Sequence, residues 1–280
     1  VRALVFVSLA ASIIWILGSA ATSGSAPLDG APPGTYVALG DSLAAGVGAT
    51  SPAESGYVGL VYAAISQNGD GANGNGVSSL TNLAIPGETT ASFITGGQLE
   101  AALDAIADPA VDVRLVTLSL GGNDLLRLLL GGPCLLQPTG TTCQQQVGAS
   151  LQGLAQNYPD VVQQLMEALN ARGTGGTLAV HTYYNPFSGT GTSYEAAVDA
   201  VLLGTDGVID CEAAEPAAIG MNDIIACAAA SHGARVIDIQ PQFAGRGRAL
   251  TLIGQQDVHP NDAGHSVIAD AIAGQLLGAN

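Results

Sequence analysis

Short apolar runs alternate with longer stretches of helical period along most of this chain. Tyr36–Leu39, Asn82–Ile85, Leu115–Leu120, Thr177–His181 and Arg235–Ile239 are apolar-rich and bounded by Gly, Pro or polar turns. Runs this short and this continuous predict strands of a parallel sheet buried on both faces. Between them, Tyr57–Gln67, Gln98–Ala107, Tyr158–Asn170 and Pro216–Ser231 carry helical patterns. The last helix, Asp262–Leu277, sets Val267, Ile268, Ala271, Ile272 and Leu276 on one face, with Asn261 or Asp262 as its N-cap. Strands separated by helices predict a doubly wound α/β fold around a five-stranded parallel sheet. Leu130–Gln146 and Asn185–Asp210 read as loops above that sheet. In such folds ligands bind at the carboxyl ends of the strands, so the chemistry is expected there.

The first residues break this pattern. Arg2, the apolar run Ala3–Leu17 and the small residues Gly18 to Ala21 have the parts of a secretory signal, cleaved near Ala20 or Ala26. An uncleaved membrane anchor is the other reading, because the run approaches the length of a span. Residues 1–26 are thus assigned to the signal or anchor, 27–34 to a linker within the Pro/Gly/Ser-rich Thr22–Gly34, and 35–280 to one domain. Export suits Cys134, Cys143, Cys211 and Cys227, which lack a C-x-x-C metal spacing and allow three pairings. Cys134–Cys143 with Cys211–Cys227 is the nearest-neighbour scheme; four buried free thiols are the alternative.

Composition narrows the partners. Hydrophobic residues make up 48% of the 280 and charged residues 11%, enough for a sizeable core. The seven basic residues are all Arg and face 23 acidic ones, for a net charge of −16. That balance excludes nucleic acid and disfavours anionic membrane surfaces. No dinucleotide-type glycine fingerprint is complete, since Ser51 stands where the third Gly of Gly46-x-Gly48 would be. No metal or cofactor is therefore expected.

Four polar blocks sit after the expected strands or before the last helix. Gly40-Asp41-Ser42-Leu43 can lift a hydroxyl out of a tight turn and aim its backbone N–H at a substrate oxygen. Gly87, in Asn82-Leu83-Ala84-Ile85-Pro86-Gly87-Glu88-Thr89, can offer a second N–H or mark an ordinary Pro-Gly turn. Asn123, in Gly121-Gly122-Asn123-Asp124, can add a side-chain N–H or cap a helix. His259, in Asp257-Val258-His259-Pro260-Asn261, can act as a general base.

In this order the blocks resemble the SGNH hydrolases, the GDSL lipase/esterase family, in its secreted bacterial type. The resemblance runs from about Thr35 to Leu277. It implies a flavodoxin-like three-layer α/β/α sandwich, Ser42 as nucleophile, His259 as base, and an oxyanion hole formed by Ser42, Gly87 and Asn123. Tyr183-Tyr184-Asn185-Pro186-Phe187 also looks like a family feature and receives no catalytic role. One position departs from the pattern: the family usually has Asp three residues before the His, where this chain has Gln256. Asp257, two before, can reach the ring because i and i+2 share a face in an extended segment. It is the preferred third member; a Ser–His dyad oriented by a backbone carbonyl or another group is the alternative.

Outside the blocks, His181 ends the fourth strand and reads as a satisfied loop histidine, with a place facing the site as the alternative, His232 as a helix C-terminal residue and His265 as a packing or capping one. The cluster Leu125, Leu126, Leu128, Leu129, Leu130, Leu135 and Leu136 is a core helix or an apolar wall for an acyl chain, with Leu125 and Leu126 as the substrate contacts. The expected activity is hydrolysis of carboxylic esters by an exported monomeric enzyme acting on a small-molecule or lipid ester, with no stable membrane partner once the signal is removed. A polysaccharide acetyl-esterase, an acyltransferase and a non-catalytic surface-binding domain are the alternatives. The first is disfavoured by an aromatic content of 4%, with Trp15, the one Trp, inside the signal.

Overall fold

The computed structural model describes residues 34–67, 76–212 and 218–278. The expected export segment and the linker up to residue 33 lie outside the described residues, as does Pro216. In chain order the elements are β1 Gly34–Gly40, α1 Tyr57–Gln67, β2 Val77–Asn82, α2 Thr90–Thr95, α3 Gln98–Ala107, β3 Asp112–Ser119 and α4 Gly122–Leu129. Then follow α5 Gly132–Leu136, α6 Thr141–Arg172, β4 Thr177–His181, α7 Ser193–Leu203, α8 Met221–Ser231 and β5 Arg235–Ile237. The short α9 Gln240–Phe243 and α10 Gly247–Leu250 precede α11 Asp262–Leu277.

The five strands are parallel in the order β2-β1-β3-β4-β5. Helices cover both faces: α1 packs with α11 on one, and α6 packs between α3 and α8 on the other. This is the three-layer α/β/α sandwich. Every residue of β1 is buried, which is why its apolar run is continuous. The chain leaves β1 toward one edge and returns through β3 toward the other, so the order reverses between these two strands and a crevice opens at their carboxyl ends.

Several boundaries differ from the sequence pattern. The second strand is Val77–Asn82, not Asn82–Ile85. As an edge strand it alternates Ser and Thr with Val77 and Leu80, so it lacks an apolar run. The apolar stretch after it still donates Leu83 N–H to Ala38 O and Ile85 N–H to Gly40 O. However, Ala84 N–H turns onto Asn82 Oδ1 and the reciprocal ladder ends. The expected loop Leu130–Gln146 holds α5 and the start of α6, a helix of 32 residues. Gln144 to Gln146 and two glycines hide its period, although Cys143, Val147, Leu154, Tyr158, Val161, Leu165 and Leu169 are buried at helical spacing. The expected loop Asn185–Asp210 contains α7, β5 stops at Ile237, and α8 begins at Met221. His232 is the C-cap of α8. The cysteines pair as nearest neighbours, Cys134–Cys143 and Cys211–Cys227.

His181 is a core residue and not a loop one. It ends β4, is 1% exposed, and meets Tyr57 edge-on at 5.4 Å. Its Nδ1 lies 2.9 Å from Thr182 O, while Nε2 has no partner among the described residues. Burial pushes its pKa down to about 4, so the ring is neutral in the native state at pH 5 and charged in much of the unfolded state. An unfolded state that binds more protons gains on the native state as pH falls from about 6.5 to about 4. Asp41, raised by burial to about 6, acts in the opposite direction between about 4 and 6, so comparison with a variant isolates the histidine. The unfolding free energy of the wild type minus that of His181→Leu is expected to fall by up to about 3 kcal/mol across that window. Urea titrations at pH 7 and pH 4.5 measure it; a pH-independent difference contradicts the assignment.

Candidate active site

Gly40 and Ser119 are partners in the register of β1 and β3, so the residues that follow them emerge side by side in the crevice. Asp41-Ser42 leaves β1 and Gly121-Gly122-Asn123 leaves β3. The His259 segment reaches the same place from the other end of the domain. Leu252 N–H donates to His259 O at 2.9 Å, Thr251 and Pro260 form an antiparallel bridge, and Tyr184 Oη–H donates to Val258 O at 2.9 Å. Behind His259, Asn261 caps α11 by accepting from Gly264 N–H. Gly48 lets this segment close on the loop after β1: with φ +95° it has no room for a Cβ, which would stand 2.2 Å from Pro260 O and 3.0 Å from His259 Cβ. His265 locks the same joint from inside, taking Tyr57 N–H on Nδ1 and donating from Nε2 to Val47 O.

The outcome is a continuous hydrogen-bonded line. Ser42 Oγ is 2.9 Å from His259 Nε2, and His259 Nδ1 is 2.5 Å from Asp257 Oδ1. Burial acts to raise the Asp257 pKa, but the His259 amide and ring outweigh it and hold the carboxyl below its usual range. An ionised Asp257 accepts the Nδ1–H, which leaves the Nε2 lone pair toward the Ser42 hydroxyl. Asp257 therefore meets the ring, but not as part of an extended segment. Its Oδ1 also accepts His259 N–H at 3.0 Å, an Asx turn that folds the carboxylate back over the residue two positions on. Gln256, where the family's usual Asp would stand, has φ +62° and is absent from this line.

The two other blocks are tied to each other. Asn123 Nδ2 donates to Glu88 O at 3.0 Å, which leaves its second amide hydrogen open. Asp124 accepts Thr90 N–H and Thr90 Oγ1–H at 2.9 and 2.6 Å. Gly87, next to Glu88, is thereby held beside Asn123. The amides of Ser42 and Gly87 donate to no acceptor among the described residues. Gly87 does not line the pocket in front of Ser42, whereas Asn123 does.

Three supporting residues escaped the sequence reading. Gln98, 2% exposed at the start of α3, takes Gly40 N–H on Oε1 at 2.6 Å and donates from Nε2 to Gly40 O at 3.0 Å and Glu88 Oε2 at 2.8 Å. Glu88, also buried, accepts Ser92 Oγ–H as well. Asp41 is 2% exposed and receives Tyr183 Oη–H, Leu43 N–H and Ser119 Oγ–H at 2.5, 3.0 and 3.1 Å. Apart from Asp41–Leu43 and Glu88–Ser92, these partners are ten or more residues apart in sequence, so periodicity and motif order could not find them.

From Ser42 an apolar pocket runs between α4 and α7. Leu125, Leu126 and Leu129 form one wall, Val198, Val201 and Leu202 the other, with Met221 at the start of α8 also lining it. The leucine cluster thus divides: Leu128 packs on the core, Leu130 borders the pocket, Leu135 faces a second groove, and Leu136 is 83% exposed. Cys134–Cys143 ties α5 to α6 beside the α4 wall, and Tyr194 of α7 donates its hydroxyl to Leu135 O. Among the described residues no group of three or more His, Cys, Asp or Glu side chains could hold a metal ion, and no helix is long and apolar enough to cross a membrane.

Solved structures share this architecture. The lipase Lip_vut3 from a goat rumen metagenome is 21% identical, with a TM-score of 0.57 over 85% of this chain and 95% of that one. Phospholipase A1 from Streptomyces albidoflavus NA297 is 23% identical, with a TM-score of 0.56 over 86% and 98%. The extracellular lipase of Streptomyces rimosus is 22% identical, with a TM-score of 0.55 over 88% and 99%. At these identities the likeness is one of fold. No curated protein sequence matches the chain. The sequence model of the GDSL-like lipase/acylhydrolase family matches residues 38–267, which span every block described above. The chain belongs to the GDSL-like lipase/acylhydrolase family of carboxylic ester hydrolases.

Proposed function

We propose that this protein is an exported serine esterase that prefers esters of apolar, fatty acyl groups and works through an acyl-Ser42 intermediate. The observation that carries the substrate class is the pocket in front of Ser42, walled by leucine and valine from α4 and α7. A second groove shares Leu130, Phe187 and Val258 with it and carries Thr190, Thr192, Tyr194 and Arg248, a more polar path for the alcohol portion. Two disulfides support export.

In the reaction His259 Nε2 takes the Ser42 proton as Oγ attacks the ester carbonyl. The carbonyl oxygen becomes an oxyanion facing the Ser42 and Gly87 amides and the open Asn123 N–H. Collapse breaks the bond to the alcohol oxygen, which takes the proton from His259. Water then adds to the acyl-Ser42 carbonyl, losing its proton to His259. The second tetrahedral species expels Ser42 Oγ, which recovers that proton, and the acid leaves. Asp257 keeps the imidazole in the tautomer that both proton transfers need.

Ser42→Ala and His259→Ala are expected to abolish hydrolysis of a nitrophenyl ester, and a phosphonate ester inhibitor to label Ser42. Asp257→Asn is expected to cost about 10²–10⁴ in kcat, and Gln256→Ala to stay within a few-fold of wild type. Full activity in Ser42→Ala, or equal losses in the Asp257 and Gln256 variants, contradicts these roles.

A nitrophenyl ester series from acetyl to lauroyl reads the pocket. Each buried methylene is worth about 0.8 kcal/mol, so kcat/KM is expected to rise about two- to four-fold per methylene until the pocket is filled. A maximum at acetate contradicts the acyl preference.

A further inference from the structure

Tyr183 lies just beyond β4, and its side chain reaches both turns that carry the proposed chemistry. Its hydroxyl donates to Asp41 Oδ2 at 2.5 Å, one residue before Ser42. Its ring lies against Gly122, one residue before Asn123, so closely that a Cβ on Gly122 would stand 2.5 Å from Tyr183 Cε1. The mount is rigid. Tyr183 N–H donates to Asn222 Oδ1 at 2.8 Å and Tyr183 O accepts from Asn222 Nδ2 at 2.9 Å, while Asn222 in α8 is fully buried.

We propose that Tyr183 is a positioning residue: its hydroxyl holds the Asp41 carboxylate in the ionised form that ties down the Ser42 turn, and its ring fixes the distance from that turn to Asn123. The inference rests on the reading of Ser42 as nucleophile and Asn123 as oxyanion donor. An ionised Asp41 can accept all three of its donors at once, Tyr183 Oη–H, Leu43 N–H and Ser119 Oγ–H. A protonated one carries an O–H that itself needs an acceptor, so at least one of these bonds must yield and the turn loosens. The carboxylate also lies within electrostatic reach of His259, where negative charge favours the imidazolium formed during attack.

The surroundings make that ionisation delicate. Burial raises the Asp41 pKa to about 6, and the Tyr183 hydrogen bond is the largest influence pulling it down. The other titratable groups facing Asp41 are Tyr57 on α1, Tyr158 on α6, Tyr184 after β4 and His259; Tyr36 on β1 faces Tyr57, and His181 lies beside Tyr183. The tyrosines are neutral in the working range, and His259 is the one group among these that can lend Asp41 a positive charge. The ionised fraction of Asp41 therefore falls as pH drops through about 6, and losing the Tyr183 hydroxyl moves that fall to higher pH.

The experiment is the pH dependence of kcat and KM on one nitrophenyl ester, for wild type, Tyr183→Phe, Asp41→Asn and the double variant. Tyr183→Phe keeps the ring in the pocket wall. It is expected to lower kcat about fivefold near pH 6, to recover most of it by pH 8.5, and to move the acid limb up by about one unit with KM nearly unchanged. In the Asp41→Asn background the same change is expected to leave the limb where it is. Ser119→Ala removes a longer bond to the same carboxylate; a smaller shift in the same direction supports the proposal even if Tyr183→Phe does not fold. A loss equal at every pH, an unmoved limb, or an equal shift in the Asp41→Asn background overturns it. If Ser42→Ala is inactive while the limb stays unmoved, this inference alone fails; activity in Ser42→Ala removes the reading beneath it.

Discussion

Asp41 is a carboxylate sealed beneath Ser42 with no Lys or Arg among its hydrogen-bond partners. A buried charge without a cation must be held by dipoles, and the donors have to come from wherever the fold can bring them. Here they come from the carboxyl end of β3, through Ser119, from beyond β4, through Tyr183, and from the turn itself, through Leu43. Satisfying one side chain thus requires β1, β3 and β4 to end at the same level with their following turns in contact. The sheet order, in which β3 lies between β1 and β4, supplies that alignment. The geometry in front of Ser42 depends on this constraint.

The same solution recurs at three other carboxyl groups of this acidic, Lys-free chain. Glu88 receives Ser92 and Gln98, Asp124 receives Thr90, and Asp223 receives the amides of Asp210 and Gly220. Apart from the His259–Asp257 contact, the described residues contain one ion pair, Arg114–Asp112, at the far end of the sheet from Ser42. Hydroxyl and amide donors fix direction more than they supply energy. They also respond weakly to salt, since no exposed pair of opposite charges is being screened. A site built this way is sensitive to proton uptake, which removes an acceptor outright, and to loss of a single hydroxyl.

What the sequence disclosed follows from how local each signal is. Ser42, Gly87 and His259 sit in short turns and Asn123 in the first turn of α4, where glycines, proline and cap residues mark them in place, and β1, β3 and β4 are buried runs that need no partner to be seen. Gln98 and Tyr183 are different. One bonds Gly40 and the other Asp41 from distant parts of the chain; in sequence Gln98 is an ordinary helix residue, and Tyr183 stands in a segment that resembles the family without disclosing its partner. The edge strand Val77–Asn82 was hidden because half its residues face water, and the front of α6 because glutamines and glycines dilute its apolar face. Asp257 was reached through the wrong local geometry: the expected extended segment is an Asx turn, a backbone detail that the pattern Asp-Val-His does not specify.

That turn also separates the duties of the two carboxylates flanking the His259–Ser42 pair. The side chain of Asp257 is 41% exposed, so solvent screens its charge, and what it contributes most firmly is the direction of the imidazole through a short bond anchored by its own loop. Asp41 touches neither ring nitrogen, yet it is buried, where a charge acts over a longer distance. Their environments push the pKa values apart, Asp257 below its usual range and Asp41 up to about 6. Shifting the orienting carboxylate to the position two before His259 is tolerable in that arrangement. Orientation needs only a bond of the right direction, which an Asx turn after the left-handed Gln256 provides, while the buried Asp41, in the turn just beyond β1, lies within electrostatic reach of the imidazole.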